Sequence, residues 1–417
     1  MKNILKHNTI FFNIGTLLFF LMIVFPFNFV SLKIILIILI LGYSIFFLRD
    51  TSKFVFIWFF LYLLWGFSFL LFGFYHNNMG VTSLLGVFII WPIVYFIFIS
   101  NINNIESLYK LINILLFSSV FMSLYIILYV LSIKTGIIDP SFFSMASQVI
   151  DPNLSKIDIF VPFGTSLLFI IPFNIALLLN IEQKIFNKKY LFVALIFNLV
   201  SAFFINRNAL NLIIVVSPFI MIFLIRIIDR RLSALAINKK FFIVFVIGIF
   251  FVLGLVIVFN EQIRAVLDNL ILGFQFTTEN TGANLRYEQF FQLLNAWQEV
   301  PILGKGLGAT IDNFTRSDTS PWAFELSYLA LLYNVGVIGM AMFIGFILAL
   351  IQKSIIVARI SKPYSPIIVA TLVGTISFLI ANATNPYLYA YDHMWALFAP
   401  LAIINVYYIT QKRSNAR

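Results

Sequence analysis

Apolar and polar positions along this chain fall in long blocks. Apolar runs of 18 or more residues recur over its whole length. Each is long enough to cross a hydrocarbon core of about 30 Å as a helix. The hydropathy rule predicts about twelve spans. They lie near 9–27, 30–48, 54–74, 81–99, 108–133, 161–181, 190–206, 209–228, 241–259, 325–350, 364–381 and 390–410. Pro162, Pro172 and Pro218 fall inside spans or at their ends, where neighbouring helices can satisfy the interrupted backbone. Two polar intervals are long, about 134–160 and about 260–324. The pattern predicts an all-α polytopic helical bundle, a single integral membrane domain over 1–417, with a large loop between the ninth and tenth spans. The first apolar run lacks a small-residue cleavage site and reads as a retained helix.

The second long loop holds a further helical pattern. Asn284 is placed to cap a helix starting at Leu285. Tyr287, Phe290, Phe291, Leu294 and Trp297 recur on one face at helical spacing, Gln289, Gln292, Gln298 and Glu299 lie away from its centre, and Pro301 ends the helix. This predicts an amphipathic helix on the outer membrane surface or over the bundle.

Composition agrees with the pattern. The chain is 62% hydrophobic and 10% charged, against about 25% charged in a soluble domain. It has no cysteine, so it has no disulfide and no thiolate metal site. With the N-terminus placed inside, 19 of the 27 basic residues fall on the cytoplasmic side, which puts both termini in the cytoplasm. The net charge of +11 is therefore a topology signal, and no nucleic-acid partner is expected. The cytoplasmic loops are too short for a nucleotide-binding fold, and both long loops are extracytoplasmic.

Arg286 lies at the edge of the amphipathic stripe, in the predicted first helical turn. A cation there opposes the helix dipole, and the arrangement becomes favourable if an anion such as a lipid-linked phosphate joins it; a solvated surface charge is the alternative. Arg207 sits at an almost loop-free outer turn, either snorkelling to water or binding an anion. Ser320 and Pro321 are helix-start signals, which puts Glu325 in the early turns of the next span, as a helix-end carboxylate or a general base. Gly304, Gly306 and Gly308 permit a tight turn and close backbone approach. No strand precedes them, so they are not a dinucleotide fingerprint. Of three histidines, His76 and His393 are on the outer side, and no pair has metal-ligand spacing.

The order of these features is that of a known group. An outer-turn arginine is followed by a large outer loop with Arg286, an aromatic four residues on, Trp297, and Pro301-x-x-Gly304-x-Gly306-x-Gly308. Then come Glu325-x-x-Tyr328-Leu329-x-x-Leu332-x-x-x-Gly336-x-x-Gly339 and Asn385-Pro386. Over about 200–390 this resembles the O-antigen polymerase and ligase family of bacterial polysaccharide export. The resemblance implies a GT-C-like glycosyltransferase, with 260–324 as an extracytoplasmic catalytic loop. Its donor would be an oligosaccharide on undecaprenyl diphosphate, which it would need no cofactor to transfer. It implies Arg207, Arg286 and Glu325 as catalytic residues, and Trp297, Gly304, Gly306, Gly308, Tyr328, Asn385 and His393 as substrate-binding ones. It also implies membrane lipids and the chain-length regulator and flippase of the same pathway as partners. Ligases carry a histidine before the Tyr-Leu pair. Glu325 stands there in this chain, which points to a polymerase. A ligase and a lipid-linked oligosaccharide flippase or other transporter remain the alternatives. A transporter built of two six-span halves would carry its long loop inside, between them. Here that midpoint loop, 182–189, is short.

Overall fold

The structure is a computed structural model and describes residues 2–25, 28–47, 51–143, 147–150, 157–160, 162–180, 185–205, 207–228, 281–312, 314–315, 320–391 and 393–415. The expected span at 241–259 and the start of the second long loop lie outside them. The helices are α1 (Lys2–Val24), α2 (Val30–Phe47), α3 (Lys53–Tyr75), α4 (Val81–Leu85), α5 (Trp91–Asn101), α6 (Ile105–Thr135), α7 (Leu167–Leu179), α8 (Lys188–Ile205), α9 (Asn208–Ile228), α10 (Thr281–Glu299), α11 (Ser327–Ile360), α12 (Ser365–Ala381) and α13 (Trp395–Asn415). A π-helical turn, Gly86–Ile90, joins α4 to α5 in one continuous span. Among the described residues six helical segments are long and apolar enough to cross a membrane: Lys53–Tyr75, Val81–Asn101, Ile105–Ile133, Lys188–Ile205, Ala209–Ile228 and Ser327–Ile360. The first long loop contains an antiparallel hairpin, β1 (Ser147–Ile150) with β2 (Ile157–Phe160).

A helix that is apolar all round belongs in an interior. The short helix α7 is of this kind. Every residue from Leu167 to Leu177 is buried, and α7 packs along α12, which is buried from Pro366 to Thr375. α8 and α9 lie against this pair. Polar side chains tie the outer helices together. Ser123 on α6 donates to Asn198 Oδ1 on α8 at 2.8 Å, and Asn198 Nδ2 donates to Ser119 Oγ at 3.2 Å, all three fully buried. Such interhelical bonds act where lipid offers no competing partner. At the end that carries the basic residues, Asn405 accepts from the Ser52 N–H and donates to the Ile99 carbonyl, joining α13, α3 and α5.

The helix predicted at 325–350 runs further, to Ile360, and is broken at Gly336 (φ 62°, ψ −173°). An unbroken helix would pair the Val337 N–H with the Tyr333 carbonyl and the Ile338 N–H with the Asn334 carbonyl. The loop after α10 replaces all four partners. Val337 donates to the Pro301 carbonyl at 2.9 Å and Ile338 to the Ile302 carbonyl at 3.2 Å. The Tyr333 carbonyl accepts from Lys305 at 3.0 Å and the Asn334 carbonyl from Gly306 at 2.8 Å. Residues 301–306 are thus inserted into the opened helix.

The insertion requires backbone-to-backbone approach. A Cβ on Gly304 (φ 73°) would lie 2.5 Å from the Asn334 carbonyl carbon, and one on Gly336 would lie 2.3 Å from the Ile302 oxygen. Gly306 meets Gly73 on α3 in the same way, and Gly308 meets Gly80. Asn78 Nδ2 completes the anchor by donating to the carbonyls of Lys305 and Gly306, each at 3.0 Å.

Gly304→Ala is expected to destabilise the protein by roughly 2–4 kcal/mol, from left-handed backbone strain plus the contact with Asn334. Gly345, in the inner part of α11 with open space around its Cβ position, is the control. Gly345→Ala should be neutral or stabilising by up to about 1 kcal/mol. Unfolding midpoints of the two variants in the same detergent check the contrast.

Candidate functional site

α10 begins at Thr281, so Asn284 lies inside the helix and does not cap it. Arg286 is in the second turn. The helix-end argument for an anion at that position therefore does not hold, because the free N–H groups belong to the residues before it. The buried face also differs from the expected stripe. Gln289 and Leu293 are fully buried, whereas Leu285, Tyr287, Phe290 and Phe291 are exposed. The inward face is set by what lies beneath it. Gln289 Oε1 accepts from the Leu326 N–H at 3.0 Å, and Arg286 Nε donates to Glu325 Oε2 at 2.7 Å. α10 covers the bundle with this polar-and-leucine edge and turns its aromatic side outward.

Glu325 is not within a helix. α11 starts at Ser327, and Ser320–Leu326 form turns in which Ala323 donates to the Ser320 carbonyl. The helix-start reading of Ser320 and Pro321 placed the boundary too early, because the chain first crosses over to meet α10. Ser327 Oγ donates to the Asn385 carbonyl at 2.6 Å, which ties this turn to the last one, between α12 and α13.

That last turn supplies the centre of the site. Tyr387, in a short 3₁₀ turn, is buried, and its hydroxyl accepts from Arg207 Nη1 at 3.2 Å. Burial pushes the phenol above its ordinary range, the Arg207 guanidinium pulls it back, and the charges of Glu325 and Arg286 also reach it. Tyr387 therefore stays neutral at physiological pH. Its ring stands edge-on to His393, with centroids 5.8 Å apart. His393 is buried, with Nε2 2.7 Å from Thr165 Oγ1. Arg207, Arg286, Glu325 and His393, expected from sequence, thus come together around a tyrosine that was not.

The other expected residues form the platform. Tyr328 donates its hydroxyl to the Leu379 carbonyl, tying α11 to α12. Asn385 Nδ2 donates to the Ala381 carbonyl and shapes its own turn. Gly304, Gly306 and Gly308 are in backbone contact with α11, α3 and the turn before α4. Trp297 Nε1 is a buried donor with no acceptor among the described residues.

Sequence reasoning missed Gln289 as well as Tyr387. The Gln289 oxygen is fixed by the Leu326 N–H, so its Nε2 is the donor, and this buried group has no partner among the described residues. A buried unpaired amide costs about 1–3 kcal/mol, which makes it a candidate ligand contact. The available signal was a glutamine three residues after Arg286, on the same helical face.

Among the described residues the cluster holds two guanidinium groups and one carboxylate. Arg286 spends only Nε on Glu325, and no protein acceptor for its Nη groups occurs among the described residues. The site can therefore bind an anion that competes with Glu325 for Arg286 while Arg207 and Tyr387 hold a second oxygen. Among the described residues no three His, Asp or Glu side chains are grouped to hold a metal ion. No family profile and no curated protein sequence matches the chain.

Competition has a sign. Removing Arg286 as Arg286→Ala should weaken binding of a short prenyl diphosphate at least about tenfold. Glu325→Gln should tighten it roughly two- to fivefold, by releasing Arg286 from its ion pair. Titrations of the purified protein in detergent, read by intrinsic fluorescence, check both directions.

Proposed function

We propose that this chain is an integral membrane glycosyltransferase of the cytoplasmic membrane. It polymerises undecaprenyl-diphosphate-linked oligosaccharide repeat units into surface polysaccharide at the outer face. In this reading the bundle has twelve spans and both termini in the cytoplasm. The observation that carries it is the convergence of Arg207, Arg286 and Glu325 from three separate parts of the chain, under a helix with an outward aromatic face. Two further facts support it. The cluster lies at the end of the bundle opposite Lys53, Lys353 and Lys412, so positive-inside orientation turns it outward. The order of motifs also resembles that of the polymerase and ligase family.

The chemistry follows from the charges. An acceptor sugar hydroxyl attacks the donor anomeric carbon, and the bond from that carbon to the diphosphate oxygen breaks. Negative charge grows on the leaving lipid diphosphate, where Arg207 and Arg286 stabilise it. The hydroxyl proton passes to Glu325, which the incoming diphosphate has released from Arg286. Tyr387 and the Gln289 amide donate to donor oxygens. The donor is already activated, so neither ATP nor a nucleotide sugar is consumed.

Purified protein supplied with synthetic undecaprenyl-diphosphate repeat units should give a ladder of products. A single transfer to another acceptor would make it a ligase, and no product would favour a transporter. In the same assay Glu325→Gln should slow elongation about 100-fold or more. A near-normal rate would move the base to His393 or to Asp392, which lies outside the described residues, or remove the need for one. Arg286→Lys should recover only part of what Arg286→Ala loses, because lysine lacks the planar fork.

Because arginines carry the charge in this scheme, the ladder should form undiminished in EDTA. Loss of product on chelation, restored by Mg²⁺ or Mn²⁺, would refute the scheme.

A further inference from the structure

The break at Gly336 sets residues 327–335 off as a short rod at the head of α11. Just before the rod, Glu325 pairs with Arg286 and the Leu326 N–H donates to Gln289, so this end meets α10. The other end carries Asn334, which is 1% exposed. Asn334 Oδ1 accepts from the Ala309 N–H at 3.2 Å. A backbone N–H can only donate, so this bond fixes which way the amide points. Nδ2 then faces the Tyr389 hydroxyl and donates to it at 3.2 Å. Ala309 belongs to the loop that follows α10, and Tyr389 to the 3₁₀ turn that presents Tyr387. One side chain thus grips two segments that build the site, each by a different end of its amide.

Both grips are stiff. On the loop side the Asn334 carbonyl also accepts from the Gly306 N–H at 2.8 Å, and the Tyr333 hydroxyl donates to the Thr310 carbonyl at 3.1 Å. On the turn side the Leu388 N–H donates to Asn382 Oδ1 at 2.7 Å, and the Ala390 N–H to the Tyr387 carbonyl at 3.2 Å. Tyr387 and Tyr389 therefore move together. A buried amide is a costly way to fill space, and a leucine of similar volume would pack without that cost. What the amide adds is direction, since a hydrogen bond weakens steeply when its geometry is lost whereas an apolar contact can slide.

From this geometry we infer that Asn334 is a positioning residue. Its two bonds set the separation between the side of the site that carries Arg286 and the turn that carries Tyr387 with its Arg207 partner, and so set how well one diphosphate can bridge the two. The inference rests on the reading of the cluster as a lipid-diphosphate site, and the two readouts below separate failure of the one from failure of the other.

The chain has no cysteine, so a pair of introduced ones carries spin labels without background. Phe290→Cys on the exposed side of α10 and Ala383→Cys on the exposed turn after α12 report the separation by pulsed electron paramagnetic resonance, on the full chain in detergent. The labelled parent should give one narrow distance. Asn334→Ala, and Tyr389→Phe with its single oxygen removed, should each shift or broaden it, and the two together should do no more than Asn334→Ala alone. Affinity for a short prenyl diphosphate should fall about five- to tenfold in each, again without addition. Asn198→Ala breaks an equally buried network between α6 and α8. It should lower the unfolding midpoint and leave distance and affinity as they are. If Asn334→Ala does not fold, Tyr389→Phe carries both readouts. An unchanged distance in Tyr389→Phe overturns the inference, as does a changed distance with undiminished affinity, or an equal change in Asn198→Ala. Failure of the parent to bind the prenyl diphosphate would sink the lipid-diphosphate reading, and the distances would still decide whether Asn334 sets the separation.

Discussion

A backbone carbonyl or amide left without a partner in an apolar interior costs several kcal/mol. The break in α11 at Gly336 opens two helical hydrogen bonds, and the segment Pro301–Gly306 closes them again from outside. Much of the site depends on this exchange. It fixes the end of the polar loop against α3 and α11. It thereby fixes where α10 can lie, since only Val300 separates the helix from the inserted segment. The glycines are consequences of the same constraint. Each of the three in the loop stands where a side chain would strike the backbone of a neighbour.

With the loop anchored, Arg286 reaches Glu325 and Gln289 reaches the Leu326 amide. The result is a cluster that is complete yet under-used. One guanidinium has an incomplete set of acceptors among the described residues, a buried amide has none, and a neutral phenol holds a hydrogen bond from the second arginine. In the reaction proposed above, donors fixed in advance stabilise the negative charge that grows on a leaving group, and Glu325 exchanges its pairing with Arg286 for the hydroxyl proton.

The two ends of the bundle differ in kind. One gathers lysines and exposed apolar rails, the other a covered polar cluster. Between them lies an interior tied by serine and asparagine hydrogen bonds and by tryptophans that bond to opposing backbones. Trp65 Nε1 donates to the Gly339 carbonyl and Trp58 Nε1 to the Phe346 carbonyl, each at 3.0 Å, joining α3 to α11 along their length. The same two helices carry Lys53 and Lys353 at one end and hold the inserted loop at the other.

By itself the sequence determined the helical architecture, because an apolar run of some 20 residues can satisfy its backbone in lipid only as a helix. It also marked the polar loop, and it singled out Arg207, Arg286, Glu325 and His393, since charges and histidines are rare enough here to be conspicuous. It misjudged the start of α10, the inward face of that helix and the start of α11. Helical periodicity reports only that one face is apolar. Which face turns inward was decided by Glu325 and the Leu326 amide, residues nearly forty positions away. Gly336 stood in the sequence as a motif position, with nothing beside it to mark a break. Only the arrival of Pro301–Gly306 made a break there tolerable, because the opened hydrogen bonds needed partners from elsewhere in the chain. Tyr387 had no local signal at all. It became central because the fold brought Arg207, Arg286 and Glu325 to it from three directions, a convergence set by packing and carried by no single stretch of the chain.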